Sequence, residues 1–432
     1  MTDVAERVSP SVQVPHLVTE LPGPKARAHI AFDEAVTSPS LPRAYPIVPV
    51  RGDGVAIEDI DGNVFLDFAA GIAVSSTGHG HPDVLRAMSR QLADLVHFSA
   101  SDFYLPIYAH AAAEMARIAP ISGPSRVFLG NSGAEAVEAA LKLARHHTRR
   151  QYVIAFLGAF HGRTYGAVSL TASKAKYHAG FGPLLPGVIH VPFGSAGLDE
   201  LEQRVFKRLV PPDEVAAIFV EPIQGEGGYV VPDADFLPRL RRICDAHGIL
   251  LVADEVQSGA GRTGRMWAIE HWGVEPDVLV AAKGIASGMP ISAVVARSEL
   301  MDWGPGAHGS TYGGNPVACA ALIATVKLLE GGLVANAAAR GEQALAALRP
   351  LVRRHESIVR DVRGKGLMIG VQFDAGATAD AVQLAAFRRG LLVLEAGDDV
   401  VRMSPALIVD ETHVATGVRL FEEAVAEVAA RS

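Results

Sequence analysis

The residues of this 432-residue chain that could do chemistry follow four apolar segments. In chain order they are Asn131-Ser132-Gly133, Glu221, Asp254 and Lys283. A small polar turn at a helix start could bind a phosphate, while two carboxylates and an amine could carry out acid–base or covalent amine chemistry. Each residue alone would be an ordinary loop residue. If the four segments are parallel strands, however, their carboxyl ends meet in one crevice.

The pattern of apolar segments predicts an α/β fold with a mainly parallel sheet. Short strands are predicted at 126–129, 152–156, 216–220, 249–253 and 278–282, separated by helical stretches. Strands that are apolar throughout are typical of parallel sheets covered on both faces. After Thr311, the Ala/Leu-rich stretch 316–352 predicts long helices, and strands at 367–373, 391–394 and 400–403 predict a second, smaller lobe.

Before this pattern begins, the first 45 or so residues are rich in Pro, Ser and charge, and we expect them to form an extended arm. Strands are predicted at 55–58 and 64–68, around the hairpin turn signal Asp61-Gly62.

Composition excludes several classes of protein. The chain has 39 Lys+Arg and 47 Asp+Glu, a formal net charge of −8, which argues against nucleic-acid binding. It has no run of about 18 uninterrupted apolar residues, and its first ten residues lack the apolar stretch of a secretory signal. With two cysteines, a disulfide framework is not expected. We therefore expect a soluble, cytoplasmic protein that binds neither nucleic acid nor membrane.

Three of the chemical positions indicate a specific use. Ser132 and Glu135 have the spacing of a capping box at the start of a helix running to about His147, and such a helix start suits a phosphate. Asp254 at a strand end could keep a pyridine nitrogen protonated, which makes the ring an electron sink. Lys283 after an apolar run suits Schiff-base chemistry, because desolvation favours the neutral amine.

Two other motifs are weaker. Residues 259–264 match the G-x-G-x-x-G pattern of dinucleotide folds, but they do not directly follow a strand, and Lys283 stands about where an acidic residue is needed. His79 and His81 lack an accompanying carboxylate or cysteine cluster. The sequence therefore predicts neither a nicotinamide site nor a metal site.

The assembled motifs resemble the class III (omega) aminotransferases that use pyridoxal 5′-phosphate (PLP). The resemblance runs from about Gly52 to Pro405 and rests on GNSGAEAVEAALKLAR, FHGRTYGA, EPIQGEGG, DEVQSGAGRTG, AAKGIASGMP and GSTYGGNPVACA. It implies PLP fold type I, with a large mainly parallel α/β domain, a smaller α/β domain and a homodimer or dimer of dimers with shared active sites. The implied division is 1–78 (arm and part of the small domain), 79–330 (PLP-binding domain) and 331–432 (small domain).

The resemblance also implies roles for individual residues. Lys283 matches the lysine that binds the cofactor covalently and moves the proton, and Asp254 matches the carboxylate beside the pyridine nitrogen. Glu221 matches a glutamate of the catalytic site that lies close to the cofactor. The other implied cofactor contacts are Gln257 near the phenolic oxygen, Ser132, Gly133 and Ala134 around the phosphate, Phe160 stacked on the ring with His161 beside it, and Thr311 reaching the phosphate from the partner subunit.

Substrate recognition is implied at four further positions. Arg163 and Arg402 match two arginines that bind substrate carboxylates, and Glu226 matches a glutamate that can pair with the second arginine. Ile72 stands where ornithine δ-aminotransferases usually have a tyrosine. The motifs look most like 4-aminobutyrate aminotransferases, which implies ping-pong transfer of an ω-amino group from a small amino donor to 2-oxoglutarate.

Three alternatives stay open at this point. The amino donor could be ornithine or acetylornithine. The chain could be an amino-acid racemase that uses the same lysine and cofactor. It could also be a catalytically silent PLP-binding protein, against which the intact Lys283/Asp254 pair argues.

Overall fold

The computed structural model describes residues 14–431, and its first helix corrects the expectation of an extended arm. Helix α1 (Pro24–Val36) lies within the predicted arm, whose residues 1–13 are outside the described part. Its N-cap, Gly23, has no side chain to offer. Asp61 caps the helix instead, with carboxylate oxygens 2.9 and 2.8 Å from the backbone N of Lys25 and Ala26. A cap from so distant a residue cannot be read from local sequence.

The N-terminal part continues with the predicted hairpin. Its elements are β1 (Pro49–Asp53), β2 (Ala56–Asp59), β3 (Val64–Asp67), α2 (Ala70–Ala73), α3 (Pro82–Asp94) and α4 (Pro106–Ile118). Strands β2 and β3 pair antiparallel, and the turn between them contains Gly62 with φ +88°, as the Asp-Gly signal predicts. Strand β1, mostly exposed and polar, was not predicted.

A seven-stranded sheet forms the centre of the molecule, and the α/β prediction is confirmed. Its segment comprises β4 (Ser125–Gly130), α5 (Gly133–Thr148), β5 (Tyr152–Phe156), α6 (Tyr165–Leu170), β6 (Val188–Val191), α7 (Ser195–Glu200), α8 (Phe206–Arg208), β7 (Val215–Val220), α9 (Phe236–His247), β8 (Leu250–Asp254), β9 (Val278–Ala281) and β10 (Ser292–Arg297). The strand order is β4-β10-β9-β8-β7-β5-β6, with β10 alone antiparallel. Strands β6 and β10 were not predicted.

The core lies on both faces of this sheet. Every residue of β7, β8 and β9 is buried, as expected for strands with helices on both sides. Because their carboxyl ends point the same way, Glu221, Asp254 and Lys283 are brought to one edge.

The C-terminal part forms a second sheet. Its elements are α10 (Pro316–Leu328), α11 (Val334–Leu348), α12 (Leu351–Arg354), β11 (Val359–Lys365), β12 (Met368–Phe373), α13 (Gly376–Arg388), β13 (Leu391–Leu392), β14 (Leu394–Ala396), β15 (Val400–Met403) and α14 (Glu411–Ala429). The sheet order is β11-β12-β15-β14, while β13 pairs parallel with β3. Both chain ends thus contribute to a shared sheet, and the predicted domain boundaries stay a prediction.

The helical run Pro316–Arg354 is long and apolar enough, by length and composition, to cross a membrane, which the sequence reading did not anticipate. Half of its most apolar window is buried inside the protein, however. Helix α10 packs against α3 and α4, and the run bends at Gly332, whose φ is +136°. We therefore assign it to the protein core.

Candidate cofactor and substrate site

The predicted chemical residues surround one cavity beyond the sheet edge. This inner cavity has a volume of about 360 Å³, and its lining includes Asn131, Ser132, Glu221, Asp254 and Lys283. A second, outer cavity of about 670 Å³ shares four lining residues with it: Val74, Phe160, Gln257 and Lys283. The two cavities therefore meet at the lysine.

The start of α5 forms one wall of the inner cavity. Ser132 is the N-cap, and its hydroxyl accepts a hydrogen bond from Glu135 N at 3.2 Å. The predicted capping box is only half formed, because the Glu135 carboxylate turns to the backbone and side-chain nitrogens of Asn131, both at 2.8 Å. The first-turn N–H groups of Gly133 and Ala134 have no acceptor within the helix, so the wall can bind an anion.

Gly133 is required at this helix start by close packing. A Cβ at this position would lie 2.9 Å from Val256 Cγ1. Val256 follows Asp254 by two residues, and both line the inner cavity. Because Gly133 has no side chain, the start of α5 can pack closely against the segment that carries Asp254.

Asp254 is held by a buried histidine. Its Oδ2 lies 2.7 Å from His161 Nδ1, and its Oδ1 accepts from Val256 N at 3.0 Å. Burial lowers the pKa of His161, but the hydrogen bond and charge of Asp254 outweigh it, and the net shift is upward. These two contacts hold the Asp254 carboxylate in one orientation at the cavity wall.

Lys283 occupies a strained backbone position. It opens a short 3₁₀ turn, Lys283–Ile285, with φ +49°, a conformation that is uncommon for a residue other than glycine. Burial and the nearby Arg402 cation lower the pKa of Lys283 to about 8. The neutral amine, which is the nucleophilic form, is therefore accessible near neutral pH.

Glu221 and Gln257 complete the polar lining. Glu221 accepts hydrogen bonds from Phe160 N and Gly225 N, both at 3.0 Å. Its burial raises the pKa of Glu221 to about 7. Gln257 is buried where the two cavities meet, and the Phe160 side chain also lines both.

The predicted carboxylate-binding residues lie in the outer cavity. Arg402 is buried on β15, and its Nη1 is 3.1 Å from Glu226 Oε2 and 3.5 Å from Gln257 Oε1. Arg163 is exposed, with its guanidinium carbon 4.4 Å from the centroid of the Tyr177 ring. One arginine is therefore neutralised by a carboxylate, while the other stacks on an aromatic ring.

Ile72 also lines the outer cavity. It is 45% exposed and lies in α2, where Ala70, Gly71, Ile72 and Ala73 all have positive φ. A β-branched residue at φ +67° is a backbone outlier, so the turn is held by its surroundings rather than by local preference. The Asp67 carboxylate supports it by accepting from Ala69 N and Ala70 N.

Thr311 is not brought to either cavity. Its side chain is exposed, and it is absent from the lining of both cavities. The neighbouring Ser310 approaches the site, with Oγ 3.2 Å from Asn131 Nδ2. Within one chain, Thr311 therefore has no contact that supports its predicted role.

Sequence reasoning missed several residues of the site. Tyr177, whose hydroxyl donates to Glu226 Oε1 at 3.2 Å, and residues 42–44 of the arm line the outer cavity. Lys174 and Lys176 also lie there. These residues belong to no local motif, since the fold alone brings them together.

The residues around the inner cavity fit PLP. The N-terminus of a 16-residue helix suits the phosphate, and Gly133, which has no side chain, lets this helix start lie close to the segment that carries Asp254. Asp254 offers the negative charge that a protonated pyridine nitrogen needs. Lys283 offers an amine whose lowered pKa suits covalent attachment of an aldehyde.

Comparison with known protein families supports the same assignment. The family model described as aminotransferase class-III matches residues 39–425. Curated relatives include an alanine/serine racemase from Pyrococcus horikoshii (38% identical, covering 96% of this chain and 93% of the relative) and an acetylornithine aminotransferase from Synechocystis (41%, 88% and 90%). A 5-aminovalerate aminotransferase, DavT, from Pseudomonas aeruginosa is 38% identical over 92% of this chain and 97% of the relative.

Solved structures give the same fold. An ornithine aminotransferase from Toxoplasma gondii has a TM-score of 0.87 and 32% identity, covering 96% of this chain and 97% of its own. A PLP-bound amine transaminase from an uncultivated Pseudomonas species has a TM-score of 0.84 and 32% identity, covering 91% and 98%. The chain has PLP fold type I and is a PLP-dependent enzyme that belongs to the class III aminotransferase family.

Proposed function

We propose that this aminotransferase moves the ω-amino group of 4-aminobutyrate, or of a similar ω-amino acid, to 2-oxoglutarate. One observation carries the proposal: of the three arginines that line the outer cavity, Arg402 is paired with Glu226 and Arg43 with Asp33, whereas Arg163 forms no ion pair within residues 14–431. An available Arg163 beside a neutralised Arg402 suits two substrates that differ by one carboxylate.

The amino donor would use the exposed arginine. 4-Aminobutyrate has a single carboxylate, far from its reacting amine, and Arg163 can bind it while Arg402 stays paired with Glu226. A buried guanidinium without a partner would be costly, so the ion pair lets the ω-amine enter without an α-carboxylate.

The oxo acid would use both arginines. 2-Oxoglutarate brings an α-carboxylate beside its reacting carbon as well as a distal carboxylate. The α-carboxylate would displace Glu226 from Arg402, and Tyr177, which already donates to Glu226, would hold the released carboxylate. Glu226 therefore acts as a gate that selects for or against an α-carboxylate.

The inner cavity would supply the chemistry. Bound PLP supplies an electron sink, which stabilises negative charge on the substrate carbon. Asp254, oriented by His161, would keep the ring nitrogen protonated. The Lys283 amine would take the proton from the substrate carbon and deliver it again, and its lowered pKa suits both directions of transfer.

The amino donor can be identified by comparing several candidate donors in one assay. Relatives named acetylornithine and 5-aminovalerate aminotransferase make N-acetylornithine, ornithine and 5-aminovalerate direct competitors of 4-aminobutyrate. A second candidate function is amino-acid racemisation, favoured by the similarity to an alanine/serine racemase over 96% of this chain. Racemisation needs no oxo acid.

We further propose a homodimer with shared active sites. Phe98, Phe103, Tyr104 and Tyr312 are exposed aromatic side chains, and the ring centroids of Phe98 and Phe103 lie 4.3 Å apart with the rings tilted by 43°. Exposed aromatic patches of this kind mark association surfaces. Thr311 lies beside Tyr312, so a partner on this surface would carry its own Thr311 towards the neighbouring inner cavity.

An amino-donor screen tests the proposed function. The holoenzyme is given 2-oxoglutarate with each donor in turn, and glutamate formation is measured beside a chirality assay that contains no oxo acid. We expect the highest kcat/KM for an ω-amino acid. Interconversion of alanine or serine enantiomers without oxo acid, together with weak ω-transamination, would replace the proposal with racemisation.

A further inference from the structure

The glycine motif at 259–264 places Arg262 between the central sheet and the C-terminal sheet. The Arg262 side chain is buried, with only 2% exposure. Its Nη1 donates to two backbone carbonyls, Leu367 O at 3.2 Å and Pro405 O. The Arg262 carbonyl in turn accepts from Leu367 N at 2.9 Å.

This arginine is unusual because it is buried without an ion-pair partner among residues 14–431, although the Asp67 carboxylate is near enough to act on its charge. Among residues 14–431, no carboxylate forms an ion pair with it, and its Nε and Nη2 have no hydrogen-bond partner. Burial lowers the pKa of Arg262 to about 10, so it is still protonated at neutral pH. A buried guanidinium without an ion-pair partner destabilises the fold. Arg262 is therefore expected to have a role other than stabilising the fold.

The two bound carbonyls lie at the end of the strand pair that carries Arg402. Strands β12 and β15 are registered from Gln372 opposite Val400 to Ile369 opposite Met403. Leu367 and Pro405 each stand two residues beyond that last pair. Pro405 has no N–H, so the strands cannot continue their ladder there, and Arg262 supplies the donor instead.

Arg402 lies one pair inside this end, opposite Gly370. Its guanidinium is held by Glu226 and Gln257, and it lies 6.0 Å from the centroid of the buried Tyr229 ring. A displacement of the end of β15 would move the Arg402 guanidinium directly, because this strand has only four residues. Even a small displacement of a binding group can misorient the bound substrate and slow its reaction.

We propose that Arg262 is a positioning residue that fixes the end of β12 and β15 and thereby aims Arg402 at the α-carboxylate of the substrate. The inference rests on the proposed function of Arg402. It explains why a charged side chain occupies a site between the two sheets where an apolar one would be less costly. Arg262 itself touches neither cavity.

Binding of unreactive carboxylates tests this directly. Glutarate has two carboxylates and valerate has one, and neither has an amine or oxo group. Their Kd values would be measured by calorimetry on the holoenzyme of the wild type, Arg262→Met, Arg402→Ala and the double variant. As a matched control, Arg340→Met removes a C-terminal arginine that binds Gln343 and Glu411, neither of which lines the inner or the outer cavity.

We expect Arg262→Met to weaken glutarate binding about ten-fold, a fraction of a charged hydrogen bond, and to leave valerate binding unchanged. In the Arg402→Ala background it should cause no further loss, because its effect passes through Arg402. Arg340→Met should change neither ligand. If Arg262→Met does not fold, Arg262→Lys, which keeps a donor for the two carbonyls, should show a smaller loss for glutarate alone.

Two results overturn the inference and identify the reason. Equal weakening of glutarate and valerate, or an additional loss in the Arg402→Ala background, would show that Arg262 is merely structural while the role of Arg402 stands. Failure of Arg402→Ala itself to discriminate between glutarate and valerate would overturn the proposed function and this inference with it.

Discussion

Glu226 and Arg402, which are 176 residues apart in the chain, form an ion pair of 3.1 Å across the interface between the central and C-terminal sheets. The arginine is buried and the glutamate half-buried, so neither charge is fully hydrated. Pairs of this kind are strongly perturbed when one partner is removed. The selectivity of the enzyme should therefore depend on this contact.

The first prediction concerns the two half-reactions. Arg402→Ala should impair the 2-oxoglutarate step by about 10²-fold more than the 4-aminobutyrate step, because only the oxo acid brings an α-carboxylate. Arg163→Ala should impair both steps. Glu226→Ala should raise activity towards glutamate relative to 4-aminobutyrate. Single-turnover absorbance of each half-reaction measures these effects, and equal losses in both halves for Arg402→Ala would rule out the gate.

The second prediction concerns Lys283 and pH. In the cofactor-free protein the pKa of Lys283 falls from 10.5 to about 8 because of burial, so the unfolded chain binds its proton more tightly. The resulting destabilisation is fully present below pH 8 and disappears as pH rises towards 10.5. Lys283→Met should therefore raise stability by about 1–3 kcal/mol at pH 7, since the cavity hydrates part of the amine, and by little above pH 10.5. Urea unfolding at several pH values checks this, and a pH-independent gain would contradict it.

The third prediction uses the close packing at the start of α5. Gly133→Ala places a Cβ 2.9 Å from Val256 Cγ1, which should weaken PLP retention and cost about 1–3 kcal/mol of stability. Val256→Ala removes the clashing methyl groups and should restore cofactor retention in the double variant. Dialysis followed by absorbance measures retention. No rescue by Val256→Ala would place the defect elsewhere in the helix start.

The fourth prediction concerns the buried pair of Asp254 and His161. Asp254→Asn should lower turnover by about 10³-fold while leaving the fold intact. Without the carboxylate, burial should bring the pKa of His161 below its ordinary value, whereas in the wild type it is raised. Nitrogen NMR of the imidazole follows this change, with His178 as an internal reference. Near-normal turnover in Asp254→Asn would exclude the electron-sink role.

The fifth prediction concerns Thr311, which touches neither cavity of its own chain. If it reaches the phosphate of the partner subunit, Thr311→Ala should weaken PLP retention at the neighbouring site. Mixed dimers with Lys283→Ala subunits should regain one active site, formed by the intact lysine of one subunit and the intact threonine of the other. Mixed dimers no more active than either parent would contradict a shared site.

The amino-acid sequence alone determined five of the seven strands of the central sheet and the polar residues that line the inner cavity. Strands β7, β8 and β9 are buried on both faces, so their unbroken apolar runs are visible in the sequence, and the polar residue after each run must lie at the sheet edge. Strand β10 is nearly as buried, but its segment SAVVAR was not predicted as a strand.

Predictions from local sequence were wrong where a distant residue makes the hydrogen bond that decides the local structure. Helix α1 was read as an extended arm because its cap, Asp61, belongs to the hairpin 36 residues from Lys25. The capping box predicted for α5 is only half formed, because the Glu135 carboxylate accepts a hydrogen bond from the Asn131 side chain. In both cases the hydrogen bond that decides the local structure depends on what the folded chain brings near.

Only the tertiary structure decided how the substrate site is assembled. The resemblance named Arg163, Glu226 and Arg402 and implied that Glu226 can pair with Arg402, but it did not show that Tyr177 supports Glu226 or that Arg262 holds the strand end. Periodicity reports which face of an element is buried, and it contains no information about which distant element covers that face. Charges and carbonyls separated by more than a hundred residues meet only when two sheets pack together, and this packing sets their energies.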